Sequence, residues 1–246
     1  MLKRVMIAVA SVFAAFAGVI VAEVLIARGT EKLPAFDRAQ LDAVVGPQTD
    51  DPLHLVWVGD STGEGVGASE PSKALPRLVA TGLDRPVRLT VLAKSGARAA
   101  DAADLQAAQL AELDADWIIV AIGSNDVVHL TSRSEFRRQL ERLLDSVDAA
   151  TPKRVVVLGV GQFAGTPLFA QPLRWISGVR ARSINADVRA AAERHGALFV
   201  DIIGRVGRGF VGDPERYHAA DRFHPSDDGY GLWAKATLDA IREAGW

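Results

Sequence analysis

Five short apolar runs constrain this chain most: residues 53–58, 87–93, 117–122, 154–160 and 197–202. Each has the length of a strand, is rich in β-branched residues, and is nearly continuous in its hydrophobicity. A strand wetted on one face alternates apolar and polar residues. A continuous run reads as a strand buried on both faces, the condition of a parallel sheet. Amphipathic stretches separate the runs, at residues 99–113, 134–150 and about 176–195, and a last helix is expected over about 227–243. Strands alternating with helices predict a doubly wound α/β sandwich with five parallel strands. Ligands of such sheets bind beyond the carboxyl ends of the strands. Residues that do chemistry are therefore expected just after the runs.

Upstream of the first run the chain has a different character. Lys3 and Arg4 precede an uncharged stretch over residues 5–22, which resumes after Glu23 with Val24, Leu25, Ile26 and Ala27 and closes at Arg28. As a helix, residues 5–27 span roughly 34 Å, enough for a hydrocarbon core of about 30 Å. The stretch predicts an N-terminal transmembrane anchor over residues 1–28, with residues 29–52 as linker and 53–246 as the folded domain. Positive charge ahead of the helix predicts an extracytoplasmic domain, in the periplasm or cell envelope, with Arg28 weakening the asymmetry. The alternatives are a cleaved signal peptide and a secreted domain, or a buried core helix. Ile20, Val21 and Ala22 make a poor cleavage site.

Composition removes several function classes. With no cysteine in the chain, disulfides, thiolate nucleophiles and cysteine-ligated zinc are excluded. A net charge of −2 gives no field to attract nucleic acid, and no basic cluster alternates with aromatics. The histidines and acids show no metal-ligand spacing. Oligomeric state is left open.

The chemistry-bearing residues do follow the strand-like runs. Ser61 lies two residues past Gly59, inside Gly59-Asp60-Ser61-Thr62-Gly63-Glu64-Gly65. Glycines on both sides allow a tight turn that lifts the hydroxyl above the sheet. A serine hydroxyl is a weak nucleophile near neutral pH and needs a base in hydrogen-bond reach. Asp221-Arg222-Phe223-His224-Pro225 offers one, just before the last helix, which Ser226 caps with Asp227 and Asp228 in its first turn. An Asp three residues before a His can accept the imidazole Nδ1–H and leave Nε2 for the serine. Acyl transfer further needs donors aimed at a developing oxyanion. Gly96, after the second run, and Asn125, in Gly123-Ser124-Asn125-Asp126 after the third, are the candidates, with the Ser61 N–H as another.

These four segments resemble the sequence blocks of the SGNH hydrolases, also called GDSL esterases and lipases. Gly59-Asp60-Ser61 matches the serine block, Gly96 the glycine block, Gly123 to Asp126 the Gly-x-Asn-Asp block, and Asp221 to Pro225 the Asp-x-x-His-Pro block. They stand in the family's order, and the resemblance covers residue 53 to the C-terminus. It implies a three-layer, flavodoxin-like α/β/α fold, no metal or cofactor, and cleavage of esters or thioesters through an acyl-enzyme. It makes Ser61 the nucleophile, His224 the base and Asp221 the residue that orients it, with Ser61, Gly96 and Asn125 as the oxyanion hole. Thr62 stands where the family name has leucine, which reads as a subfamily mark.

Competing readings remain. Gly59 to Gly63 also fits the nucleophile elbow of α/β-hydrolases, but only one strand precedes Ser61 in the domain. Gly63, Gly65 and Gly67 suggest a phosphate loop, yet no Gly-Lys-Ser/Thr follows. His218 is the rival base and lacks the tight spacing to an acid. Asp60, Thr62, Phe163 and Phe169 are the candidate substrate contacts; the last two belong to a segment over 163–175 that reads as a loop over the core, an acyl-binding wall or a membrane-facing lip. Three function classes follow: a carboxylic ester hydrolase acting on small or lipid esters, an O-acetylesterase or O-acetyltransferase acting on envelope polysaccharide, and a non-catalytic domain that keeps only the fold.

Overall fold

A sheet of six strands organises the computed structural model, which describes residues 6, 11, 18–20, 22–23, 33–47 and 49–246. The strands are β1 (Ala43–Val45), β2 (Leu53–Gly59), β3 (Val87–Val91), β4 (Trp117–Ala121), β5 (Arg154–Leu158) and β6 (Leu198–Val200), in the spatial order β1-β3-β2-β4-β5-β6. All neighbours from β3 to β6 pair in parallel. The helices are α1 (Arg38–Leu41), α2 (Leu75–Gly82), α3 (Ala99–Asp101, a π turn at Ala102–Gln106, then Ala107–Leu110), α4 (Ser124–Val128), α5 (Arg133–Ala149), α6 (Leu173–Arg194), α7 (Ile202–Gly212), α8 (Pro214–Tyr217) and α9 (Asp227–Glu243).

Alternate residues of each strand supply two cores. Leu55 and Trp57 of β2 face one cluster with Leu75, Phe210 and Tyr230, from α2, α7 and α9. Val56 and Val58 face the other, with Phe136, Leu140 and Ile184, from α5 and α6. The continuous hydrophobicity of the strands thus follows from helices covering both faces. All seven residues of β2 are buried.

The sixth strand corrects the expectation of five. It comes from the segment read as a linker. β1 runs antiparallel to β3, with Ala43 opposite Leu89 and Val45 opposite Val87. Without it β3 would present an unpaired edge. Asp37 caps α1 by accepting the Gln40 N–H, Leu41 is fully buried, and the Asp42 carboxylate accepts the Val91 N–H at 2.7 Å. A three-residue strand shows too little periodicity to stand out in a sequence. The membrane-spanning helix expected over residues 5–27 lies mostly outside the described residues. Among the described residues no helix is long and apolar enough to cross a membrane.

Strand order also places the site. From the central β2 the chain crosses to β3 on one side, and β4 returns to pair on the other. Connections that diverge in this way open a crevice above the carboxyl ends of the strands, and Ser61 follows the end of β2.

Candidate active site

The turn after β2 is built around Asp60. Its Oδ1 accepts both the backbone N–H and the hydroxyl of Thr62, at 3.0 and 2.9 Å. Burial pushes the Asp60 carboxyl above its ordinary value, against the two Thr62 hydrogen bonds. At 1% exposure Asp60 shapes the turn from within, which corrects its expected place among the substrate contacts. Ser61 is left half-buried at the top of the turn.

The opposing loop is a hairpin. Residues 217–219 run against 224–226, with Ala219 N–H donating to His224 O at 2.8 Å and Ser226 N–H to Tyr217 O at 3.0 Å. Asp221 closes the tip, its Oδ1 accepting the N–H groups of Phe223 and His224, both at 3.0 Å. Ser226 then caps α9 by accepting the Gly229 N–H. Gly67 lets the hairpin approach the Ser61 turn. Its φ is +98°, and a Cβ there would lie 2.4 Å from Pro225 O. Asp227 ties the two further, accepting the N–H of Ser69 at 2.8 Å and its hydroxyl at 2.5 Å.

These contacts bring three side chains into line. Asp221 Oδ2 lies 2.5 Å from His224 Nδ1, and His224 Nε2 lies 3.0 Å from Ser61 Oγ. A carboxylate can only accept, so Nδ1 carries the proton, and Nε2 takes the hydrogen bond from the Ser61 hydroxyl. Burial alone would raise the Asp221 carboxyl. The hydrogen bonds from the His224 ring and the Phe223 amide, with the charge of His224, outweigh it and hold the group below its usual range. The line can therefore move a proton from the hydroxyl to an imidazole steadied by an ionised acid.

The oxyanion candidates sit on adjoining loops at the same edge. Gly96 has φ +82° and open space where a Cβ would stand. It lines a depression with Ser95, Ala97 and Asp101, separate from the cavity that contains Ser61. The Asn125 side chain donates to Ala97 O at 3.0 Å, which leaves one amide hydrogen uncommitted. Among the described residues the backbone N–H groups of Ser61 and Gly96 have no protein acceptor. Asp126 holds the Ala99 N–H at 2.9 Å and is 1% exposed, a structural part.

Two supporting residues carried no sequence mark. Glu64, 8% exposed in the Ser61 turn, accepts the Ser95 N–H at 2.7 Å and so ties the nucleophile's turn to the Gly96 loop. Gln106, in the π turn of α3, clamps Gly59 by accepting its N–H at 2.9 Å and donating to its O at 2.8 Å. An acid among glycines and a glutamine in an amphipathic stretch look like ordinary surface residues until tertiary contacts bury them.

A small, partly open cavity of about 40 Å³ adjoins the triad, lined by Ser61, Thr62, Phe163, Thr166, Phe223 and Trp233 among others. His218 also lines it, with Nδ1 donating to Pro214 O at 2.9 Å, and burial lowers its pKa. It lies outside the line from Asp221 to Ser61. Phe169 lines a larger apolar groove of about 480 Å³ on the far side of Phe223. The rings of Phe163, Phe169 and Phe223 pack together at 5.8–6.5 Å between centroids. Among the described residues no three acids or histidines converge as a metal site.

Comparison with known proteins gives the family and the fold. The model of the GDSL-like lipase/acylhydrolase family matches residues 57–232. A GDSL-like esterase of Mycobacterium tuberculosis is 29% identical over 199 residues, 78% of this chain and 62% of that protein, so the chain spans less than two thirds of that relative. Among solved structures, the lipase/acylhydrolase from Enterococcus faecalis superposes with a TM-score of 0.62 at 17% identity, covering 78% of this chain and 96% of that one. An acetylxylan esterase from Geobacillus stearothermophilus superposes with a TM-score of 0.56 at 22% identity, covering 77% and 94%. At such identities the two structures speak for the fold.

Proposed function

The chain belongs to the GDSL-like lipase/acylhydrolase family, and on that premise we propose that it is a serine esterase that cleaves carboxylic esters or thioesters through an acyl-enzyme. The observation that carries this reading is the unbroken line from Asp221 through His224 to Ser61, at 2.5 and 3.0 Å.

Ser61 Oγ attacks the carbonyl carbon of the ester while its proton passes to His224 Nε2. The carbonyl oxygen becomes an oxyanion facing the N–H groups of Ser61 and Gly96 and the free amide hydrogen of Asn125. Asp221 accepts from Nδ1 throughout and stabilises the imidazolium without taking its proton. The intermediate collapses by breaking the bond to the leaving oxygen, or to sulfur in a thioester, and that atom takes the proton from His224. Water then repeats the attack on the acyl-Ser61, giving up a proton to His224, and the acid leaves as Ser61 is restored.

The experiment is labelling by a fluorophosphonate together with p-nitrophenyl acetate hydrolysis, in the natural chain and in Ser61→Ala. The proposal expects label and turnover only in the former. Turnover retained by pure Ser61→Ala ends it.

One observation favours a second, narrower reading, an O-acetylesterase or O-acetyltransferase acting on envelope polysaccharide. The cavity beside Ser61 measures about 40 Å³, where a water needs about 10–15 Å³. That is room for an acetyl group beside Ser61. Residues 5–27 would hold such an enzyme at the membrane with its domain extracytoplasmic. Protease added to intact cells would then cut the domain, and full protection would end that part of the proposal.

A further inference from the structure

The described domain exposes seven large apolar side chains beyond residue 32; two of them, Val128 and Leu130, line one groove, and two more, Trp175 and Val179, stand on the helix that forms its other wall. Val128 and Leu130, exposed by 42% and 68%, form one lip of the 480 Å³ groove. Trp175 and Val179, exposed by 63% and 38%, lie one turn apart on the outer face of α6, the helix whose Leu173 and Ile176 line the groove. The other three, Val44, Leu105 and Val211, stand singly on β1, α3 and α7. Single exposed apolar residues are ordinary, whereas a cluster around a groove marks a surface that meets something apolar.

Two contacts say what that is. The Glu23 carboxylate accepts the backbone N–H of Leu173 at 3.1 Å, so residue 23 touches the groove's own wall. The chain then enters the body at Phe36, whose N–H donates to Glu64 O at 3.0 Å, in the turn that carries Ser61. Eight residues from Arg28 to Phe36 span at most about 29 Å. The tether therefore joins the catalytic edge of the sheet, the edge the groove shares through Phe223.

We propose that the rim formed by Val128, Leu130, Trp175 and Val179 docks onto the phospholipid bilayer that holds the protein's own N-terminal segment, with the groove opening onto the lipid. This rests on the reading of residues 5–27 as an anchor. A tryptophan at the rim suits the headgroup level, where its ring lies in apolar surroundings and its N–H stays wet. Docking gathers the exposed apolar cluster out of water and turns the mouth of the groove, and the Ser61 edge behind it, toward lipid-borne esters.

Because the chain has no cysteine, single-site labelling tests this in the full-length protein. Leu130→Cys, Trp175→Cys and Leu105→Cys each carry an environment-sensitive fluorophore and are reconstituted into vesicles of equal phosphatidylethanolamine and phosphatidylglycerol. The expected result is a blue-shifted emission, quenched by brominated lipid, at positions 130 and 175 and neither effect at 105. Vesicles that float with the protein while positions 130 and 175 stay silent overturn the docking and leave the anchor standing. Protein that does not float removes the anchor and the docking together. A shift that follows protein concentration in the absence of lipid assigns the rim to a second copy of the chain, which also overturns it.

Discussion

The Nε2 atom of His224 lies 3.0 Å from Ser61 Oγ across 163 residues of sequence. The short distance is set by two rigid parts, a turn shaped by buried Asp60 and a hairpin closed by Asp221, which meet closely because residue 67 is glycine. The site is thus positioned before any substrate arrives.

Asp221→Asn should separate orientation from folding. Asparagine still offers an oxygen to the Phe223 and His224 amides, but an amide nitrogen cannot accept the imidazole Nδ1–H. The ring then takes the wrong tautomer for accepting the Ser61 proton, and kcat is expected to fall on the order of 10³- to 10⁴-fold with the thermal midpoint nearly unchanged. Steady-state kinetics beside a melting curve checks it. A loss below about tenfold would mean Asp221 does not orient the base.

Asn125→Ala removes one proposed oxyanion donor. The expected cost is about 10²- to 10³-fold in kcat, with KM altered far less, because the interaction strengthens only as charge develops. A variant that raised KM alone would place Asn125 in substrate binding.

Glu64 links the Ser61 turn to the Gly96 loop through the Ser95 N–H. Glu64→Ala should lower kcat about 10- to 100-fold by letting a donor drift. Glu64→Gln keeps an acceptor oxygen and should restore most of the rate. Lys94→Ala serves as the control: the Lys94 side chain is 75% exposed, and its ion pair with Glu64 contributes little. Equal kcat in Glu64→Ala and the natural chain would rule out positioning.

His218 makes stability depend on pH. Burial lowers its pKa in the fold, while the unfolded chain keeps a value of about 6.5. Between those two values the unfolded state binds a proton that the folded state does not, so stability falls as pH drops below about 6.5. His218→Gln removes this loss and retains a donor for Pro214 O. Its thermal midpoint should therefore decline less steeply than the natural chain's between about pH 7 and 5. Parallel curves would show that His218 is no source of acid sensitivity.

Cavity size should set acyl preference. p-Nitrophenyl acetate is expected to outrun the octanoate in kcat/KM, and Phe163→Leu, which trims a lining ring, should raise the butanoate-to-acetate ratio. A natural chain that prefers octanoate would place the acyl group in the larger groove instead.

Residues with strong local patterns were legible in advance. The five parallel strands and α9 lie close to where hydrophobic runs and the Ser226 cap put them. β1 was not, because three residues cannot display a period. Nor were α7 and α8: α7 carries Gly204, Gly207, Gly209 and Gly212, poor helix formers on their own. Tertiary packing decides there, since Val206 and Phe210 bury into the core while Gly207 and Gly209 admit Gln162, Tyr217 and Leu232 close to the helix.

By itself the sequence determined the class of the sheet and the order of the segments that carry the candidate residues, because periodicity and spacing are local properties of a chain. The tertiary structure alone decided that Asp60 turns inward, that Glu64 and Gln106 become supports, and that a small cavity and a large groove share Phe223 as a wall. Burial and hydrogen-bond partnership are set by side chains far apart in sequence, and only packing brings those together.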